Sequence, residues 1–131
     1  IICIETATNL CSVALCDSSG ILSVKESNDN RSHASMLTVF IGDILKENGI
    51  ESSSLEAVAV SKGPGSYTGL RIGVSVAKGI AFAASIPLIA IETTFSMFMG
   101  MRARITETNN SDQPYIFCPM LDARRMEVYY A

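Results

Sequence analysis

The stretch SKGPGSYTGLRIG, residues 61–73, places Gly63, Gly65, Gly69 and Gly73 between an apolar strand-like run, EAVAVS, and a helix-like run ending near Ser85. A glycine-rich turn between a strand and a helix either cradles a phosphate on free helix amides or lets the backbone make a close approach. The spacing excludes two nucleotide signatures. From Gly63 the next suitable glycine is one residue too far for a P-loop, and no Lys-Ser or Lys-Thr follows. Gly63, Gly65 and Gly69 give GxGxxxG, not the dinucleotide fingerprint. Ser66 or Thr68 can cap the helix, and Arg71 in its first turn can neutralise an anion there. The residues alone leave ligand binding and simple chain turning both open.

Upstream, IICIETA, LCSVALCD and GILSVKES read as three short strands joined by turn residues, an antiparallel meander. Met36, Leu37, Phe40, Ile41, Ile44 and Leu45 recur at helical steps on one face, with Ser32 as N-cap and Asn48-Gly49 as the stop. Downstream, the second helix spans Leu70 to Ser85, PLIAIE is a strand, and Thr94 to Arg104 is a third helix. ITETNNSDQ is a loop, and IFCPMLDA with MEVYYA forms a hairpin. The order β-β-β-α-β-α-β-α predicts an α/β fold: a mixed five-stranded sheet with helices on its faces. The closing pair, IFC against the opening IIC, suggests a duplicated fold whose second half has only begun. The expected division is residues 1–112 and residues 113–131.

Along the second helix, Gly69, Gly73, Ala77 and Ala81 fall at steps of four, a small-residue stripe where another helix can come close. Lys78 is its only charge besides Arg71 at the start. Such a helix must be buried nearly all round, either within the chain or against a partner. The turn Glu5-Thr6-Ala7-Thr8 puts an acid and hydroxyls at the end of the first strand, where they can hold a phosphate and its magnesium or simply face water.

The 131 residues carry a formal charge of −3, and the basic residues are scattered apart from Arg102 with Arg104 and Arg124 with Arg125. That argues against direct grip on nucleic acid. Cys3, Cys11, Cys16 and Cys118 show no CxxC spacing and read as small apolar residues in a reducing compartment. With His33 the one histidine, no zinc set is expected. The apolar run Ile72 to Ile91 contains Lys78 and Pro87 and reads as buried helix and strand, so no membrane span is expected. No signal peptide is visible. Ile1 and the strand-like end at MEVYYA are the expected marks of part of a longer protein.

Three segments together resemble the TsaB (YeaZ-like) family: IETATNLCSVAL, SKGPGSYTGLRIGVSVAKGIAFAASIPLIAIET and LDARRMEVYYA. Its members are accessory subunits of the bacterial system that places threonylcarbamoyl on the adenosine beside the anticodon of certain tRNAs. The resemblance covers nearly the whole chain. It implies an actin-like ATPase (ASKHA) fold of two ribonuclease-H-like halves. More distantly, the same segments are similar to the catalytic TsaD paralogues, a glycoprotease-like (peptidase M22-like) family. Those carry a metal-binding His-x-x-x-His after the strand matched here by PLIAIE. Aligned without gaps, its positions are Thr93 and Met97, neither suited to a hard or borderline ion. The resemblance therefore implies no catalytic residues, no metal and no cofactor. It implies a cytoplasmic scaffold that binds TsaD and, with it, TsaE. The chain would form a homodimer when alone and meet tRNA only indirectly. The expected interface is Met36, Leu37, Phe40, Ile41 and Ile44 with the stripe Gly69, Gly73, Ala77 and Ala81. A residual phosphate site would fall on Glu5, Thr6, Gly65, Ser66 and Arg71. The rival readings are an active glycoprotease-like or ATP-binding phosphotransferase enzyme of actin-like fold, and a small-molecule binding module unrelated to tRNA.

Overall fold

A computed structural model describes residues 1–28, 33–108 and 115–131. The strands are β1 (Ile2–Glu5), β2 (Cys11–Asp17), β3 (Gly20–Ser27), β4 (Val58–Gly63), β5 (Leu88–Glu92), β6 (Met120–Arg124) and β7 (Glu127–Tyr130), and the helices are α1 (His33–Glu47), α2 (Tyr67–Ala84) and α3 (Thr93–Thr108). A short 3₁₀ turn lies at Ser52–Ser54. The five-stranded sheet has the order β3-β2-β1-β4-β5; β6 and β7 form a separate hairpin. β1 runs antiparallel to β2 and parallel to β4, so the sheet is mixed as the alternation predicts.

Period-two burial sorts the strands into two faces. Ile2, Ile4, Cys11, Val13, Leu15, Val58 and Val60 point to one side and meet Leu37, Phe40, Ile41, Ile44, Ala77 and Ala81. Both α1 and α2 lie on that side. α3 packs on β4 and β5, where its Ser96 shares a groove with Cys3, Ala14 and Ala59 of the opposite sheet face.

Just past the end of α1, Gly49 has a φ of +65° and supplies the left-handed residue expected at Asn48-Gly49. Its proposed N-cap, Ser32, lies outside the described residues. α2 begins three residues before the expected Leu70: Ser66 is its N-cap, and the Ser66 hydroxyl accepts from Gly69 N–H at 3.3 Å. Ser85 closes it in the left-handed conformation (φ +54°). α3 runs on through Thr108, into the first part of the segment expected to be loop. IFC also departs from expectation: the strand opens only at Met120, and Pro119, which has no N–H for a ladder, is buried just before it.

The small-residue stripe is turned inward. Gly69, Gly73, Ala77 and Ala81 are the buried residues of α2, and they face the sheet. A Cβ on Gly69 would lie 2.1 Å from the Thr6 carbonyl oxygen, and one on Gly73 would lie 2.2 Å from Thr6 Oγ1. One on Gly65, at φ +154°, would lie 2.3 Å from the Ala7 carbonyl oxygen. Those are overlaps, so glycine is required for the backbone after β1 to lie directly on the helix. Ser66 N–H then donates to the Ala7 carbonyl at 2.6 Å. Gly65, Gly69 and Gly73 thus serve close packing.

The two tightest contacts differ in kind, which makes them separable. Gly73→Ala meets a side chain and Gly69→Ala meets backbone. Alanine contributes up to about 1 kcal/mol of helix propensity over glycine, but overpacking costs about 1–3 kcal/mol. Both variants are expected to lower the midpoint of urea unfolding. Adding Thr6→Ala should recover most of the loss for Gly73→Ala and none for Gly69→Ala. Thr6 Oγ1 is buried with no hydrogen-bond partner; Thr6→Val alone should therefore stabilise by about 1 kcal/mol in the same measurement.

Candidate functional site

The carboxyl ends of β1 and β4, the start of α2 and the β6–β7 hairpin enclose a groove of about 630 Å³. Such an end of a sheet is where α/β folds place ligands. The β1 side contributes Ala7, Thr8 and Asn9, α2 contributes Gly65, Ser66, Tyr67 and Thr68, and the hairpin contributes Asp122, Arg124 and Tyr129. The hairpin turn is tight: Arg124, Arg125 and Met126 have φ of +66°, +55° and +65°, and Asp122 Oδ1 accepts from Arg124 N–H at 2.7 Å.

Of the five residues expected to form a phosphate site, only Gly65 and Ser66 line this groove. Thr6 is fully buried behind Gly69 and Gly73, where no ligand reaches it. Glu5 points to the opposite sheet face. One of its oxygens accepts from Ala7 N–H at 2.6 Å, and the other accepts from the Ser61 hydroxyl, so the carboxylate ties the ends of β1 and β4 together. Arg71 is exposed, with its guanidinium 5.5 Å from the Tyr67 ring centroid. The expected set is therefore not a set. Within the groove Ser66 already caps its helix, and Arg124 is accompanied by Asp122, so its side chains are close to neutral in sum. Thr8, at the end of the turn read as a possible phosphate holder, does line the groove, whereas Asn9, Asp122 and Arg124 were not singled out as a site. The signals were the turn at Thr8-Asn9 and the Asp-Ala-Arg of the hairpin, but nothing in sequence joined them.

The expected interface also needs correction. Leu37, Phe40, Ile41 and Ile44 are buried in the core and Met36 packs against it, as do Gly69, Gly73, Ala77 and Ala81 on α2. These residues hold the chain's own sheet and are not on offer to a partner. The outer stripe lies two residues further along α2, about 200° round the helix. It consists of Arg71, Ser75, Gly79 and Phe82, beside Thr38, Val39 and Gly42 on α1, all exposed. Phe82 is 89 % and Val39 52 % exposed. A Cβ on Gly42 or Gly79 would meet nothing within 4 Å. The outer face is thus flat and small in its middle, with Tyr67 exposed at the start of α2 and Phe82 near its end. The expectation that α2 is buried all round does not hold.

With this geometry, comparison with known proteins is direct. The family "TsaD: tRNA N6-adenosine threonylcarbamoyltransferase" matches residues 21–131. The chain belongs to the TsaD family. Within it, the chain is TsaB-like. It is similar to the tRNA threonylcarbamoyladenosine biosynthesis protein TsaB of Escherichia coli K12, with 34% identity over 131 residues, 100% of this chain and 53% of that protein. The TsaB of Haemophilus influenzae is 31% identical over the same length and is covered to 52%. A tRNA N6-adenosine threonylcarbamoyltransferase of Halalkalibacterium halodurans is 44% identical over 62 residues, 47% of this chain and 18% of that enzyme. A Pseudomonas aeruginosa crystal structure, of an uncharacterised protein with similarity to peptidase YeaZ, superposes with a TM-score of 0.81 at 31% identity, covering 98% of this chain and 56% of that one. The chain spans about half the length of these two TsaB relatives.

In this TsaB-like chain Thr93 is buried with its hydroxyl unpartnered, and Met97 is half-buried. Among the described residues no group of three or more His, Cys, Asp or Glu is placed to hold a metal, and no helix is long and apolar enough to cross a membrane. The Cys3 thiol is pushed up to about 11, first by burial and then by the neighbouring Cys16. Burial also raises the Cys11 thiol. A raised thiol pKa leaves little thiolate at neutral pH, so these cysteines are poor nucleophiles, whereas Cys118 is exposed. Iodoacetamide at pH 7.5 should label Cys118 first. Cys3 labelling should rise about tenfold per pH unit up to its pKa, as peptide mass mapping would show; Cys3 labelling as fast as Cys118 at pH 7.5 would contradict this.

Proposed function

We propose that the chain is the first ribonuclease-H-like half of a non-catalytic scaffold acting in threonylcarbamoylation of a tRNA adenosine. It docks through the outer face of α1 and α2. The relatives' names supply the process: TsaB proteins are named for tRNA threonylcarbamoyladenosine biosynthesis, and the matching family is that of the transferase itself. The partner is TsaD, with TsaE joining the pair. A second copy takes the same face when TsaD is absent, and tRNA is met only through the complex. The reading places the protein in the cytoplasm, and it takes β6 and β7 as the start of a second, related half.

The observation that carries this reading is the outer stripe. Arg71, Ser75, Gly79 and Phe82 beside Val39 and Gly42 give two adjacent helices a surface that another helix pair can approach closely. Phe82, 89 % exposed, is the kind of large apolar side chain that anchors an interface when it enters a partner's pocket. A non-catalytic role is supported by the site residues themselves. Thr6 is sealed off, Glu5 is spent on Ser61 and Ala7, and on the resemblance Thr93 and Met97 take the positions of the paralogues' metal ligands.

The test is the mass of the protein, alone and mixed with TsaD of the same organism, by light scattering on a sizing column. A self-associated form that gives way to a heteromeric complex is expected. Gly79→Arg and Phe82→Asp, both at exposed positions, should each weaken TsaD binding at least tenfold with no change in the unfolding midpoint. If both variants bind TsaD like the parent, the docking face is wrong.

A further inference from the structure

Cys3 and Cys16 share the sheet face turned away from α1 and α2. Their neighbours Ile2, Ile4 and Leu15 point into the core on the other side, so the alternation of a strand sends both cysteines away from it. Cys3 pairs directly with Ala14 across β1 and β2, and Cys16 stands two residues beyond Ala14. The cysteines are therefore diagonal neighbours. Both are half-buried and free, and their thiols are joined by a hydrogen bond. The separation of the sulfurs is set by the β1–β2 register within the sheet and is independent of anything that packs on this face.

Diagonal neighbours on an antiparallel pair have Cα atoms about 7–8 Å apart. A disulfide needs them within about 7 Å and its sulfurs about 2 Å apart, so closing one here would pull β1 and β2 out of register. A cation between the two sulfurs needs no such closure. With bonds of the ~2.3 Å that thiolates make to zinc, a linear sulfur–metal–sulfur unit spans ~4.6 Å, near the separation of two thiols in hydrogen-bond contact. Among the described residues no third His, Cys, Asp or Glu is placed to join the pair, so the four ligands of a zinc site are not assembled. Two thiolates alone suit a soft cation of the copper(I) class. Ala14 opposite Cys3, Val24 opposite Ala14 and Ile21 opposite Cys16 give the pair an apolar border, which shields it from competing oxygen ligands. Glu5, the next residue of β1 on this face, has its two oxygens engaged by Ala7 N–H and the Ser61 hydroxyl. The Cys3 thiol, pushed up to about 11 by burial and then by Cys16, stays protonated toward oxidants near neutral pH. A soft cation displaces that proton as it binds.

We propose that Cys3 and Cys16 form a two-thiolate site for a soft monovalent cation of the copper(I) class. Each thiol releases its proton to solvent as its sulfur bonds to the cation, so the loaded site carries a single negative charge and no electron is transferred. The site lies across the sheet from the α1–α2 face and does not depend on the reading given to that face.

The test is a titration of the reduced protein with copper(I) under nitrogen, against a copper(I)-specific chelator as competitor, with the stoichiometry read by native mass spectrometry. A single cation per chain is expected. Cys3→Ser and Cys16→Ser should each weaken binding by at least about a hundredfold, more than the loss of an outer partner costs a metal site. Cys118→Ser, at an exposed position outside both strands, should leave binding unchanged. A second readout needs no variant: an equivalent of silver(I), which is redox-inert here, should protect Cys3 and Cys16 from alkylation at alkaline pH and leave Cys118 open, as peptide mass mapping would show. Affinity equal to the parent's in both Cys3→Ser and Cys16→Ser, protection of Cys118 in place of the pair, or a reduced protein that takes up no copper(I) yet closes a Cys3–Cys16 disulfide with diamide would each overturn the inference.

Discussion

The fold depends on one close approach. The backbone of Thr6 and Ala7, leaving β1, lies directly on the first two turns of α2 and the glycine turn before it. Carbonyl oxygens sit where side chains would stand on Gly65 and Gly69, and a threonine hydroxyl sits where one would stand on Gly73. The contact fixes α2 in height and rotation over β1 and β4. With α2 placed, α1 has one position left, beside it and over β2 and β3, and the apolar faces of both helices close the core. The same rotation decides what faces outward. Turning Gly69, Gly73, Ala77 and Ala81 to the sheet turns Arg71, Ser75, Gly79 and Phe82 to the outside. Packing constraint and exposed surface are two sides of one helix.

Much of this was legible in the sequence because the periods were clean. The apolar alternation in CSVAL and the three-four spacing from Met36 to Leu45 gave strand and helix with the right faces inward. The order of elements gave the mixed sheet. What the sequence did not reveal was orientation about the helix axis of α2, where both sides carry small residues at steps of four: 69, 73, 77 on one and 71, 75, 79 on the other, the latter interrupted only by an arginine. Composition cannot distinguish a stripe that seats against a strand end from one that meets another helix. The distinguishing atoms belong to Thr6 and Ala7, some sixty residues earlier in the chain. The α1 residues were misassigned for a simpler reason: an apolar face found by periodicity is first of all the core face.

The proposed phosphate set failed on the same kind of information. Glu5, Thr6 and Arg71 have the right chemistry and lie near the right turn in sequence, but a strand alternates its side chains. Glu5 and Thr6, neighbours in the chain, leave on opposite sides of the sheet. The groove that does form collects Thr8, Asn9 and Ser66 with Asp122 and Arg124, residues brought together only by the return of the hairpin. Its polarity is mixed and its helix start is already capped by Ser66.

We infer that the glycine turn serves packing and that the chain meets its partner through the outer face of α1 and α2. The most direct measurement is a methyl spectrum of the chain titrated with unlabelled TsaD of the same organism. The account predicts that the Val39 methyls of α1 broaden and shift while those of Val128, on the hairpin near the cleft, stay in place. Movement of Val128 with Val39 unaffected would put the partner at the cleft and contradict it.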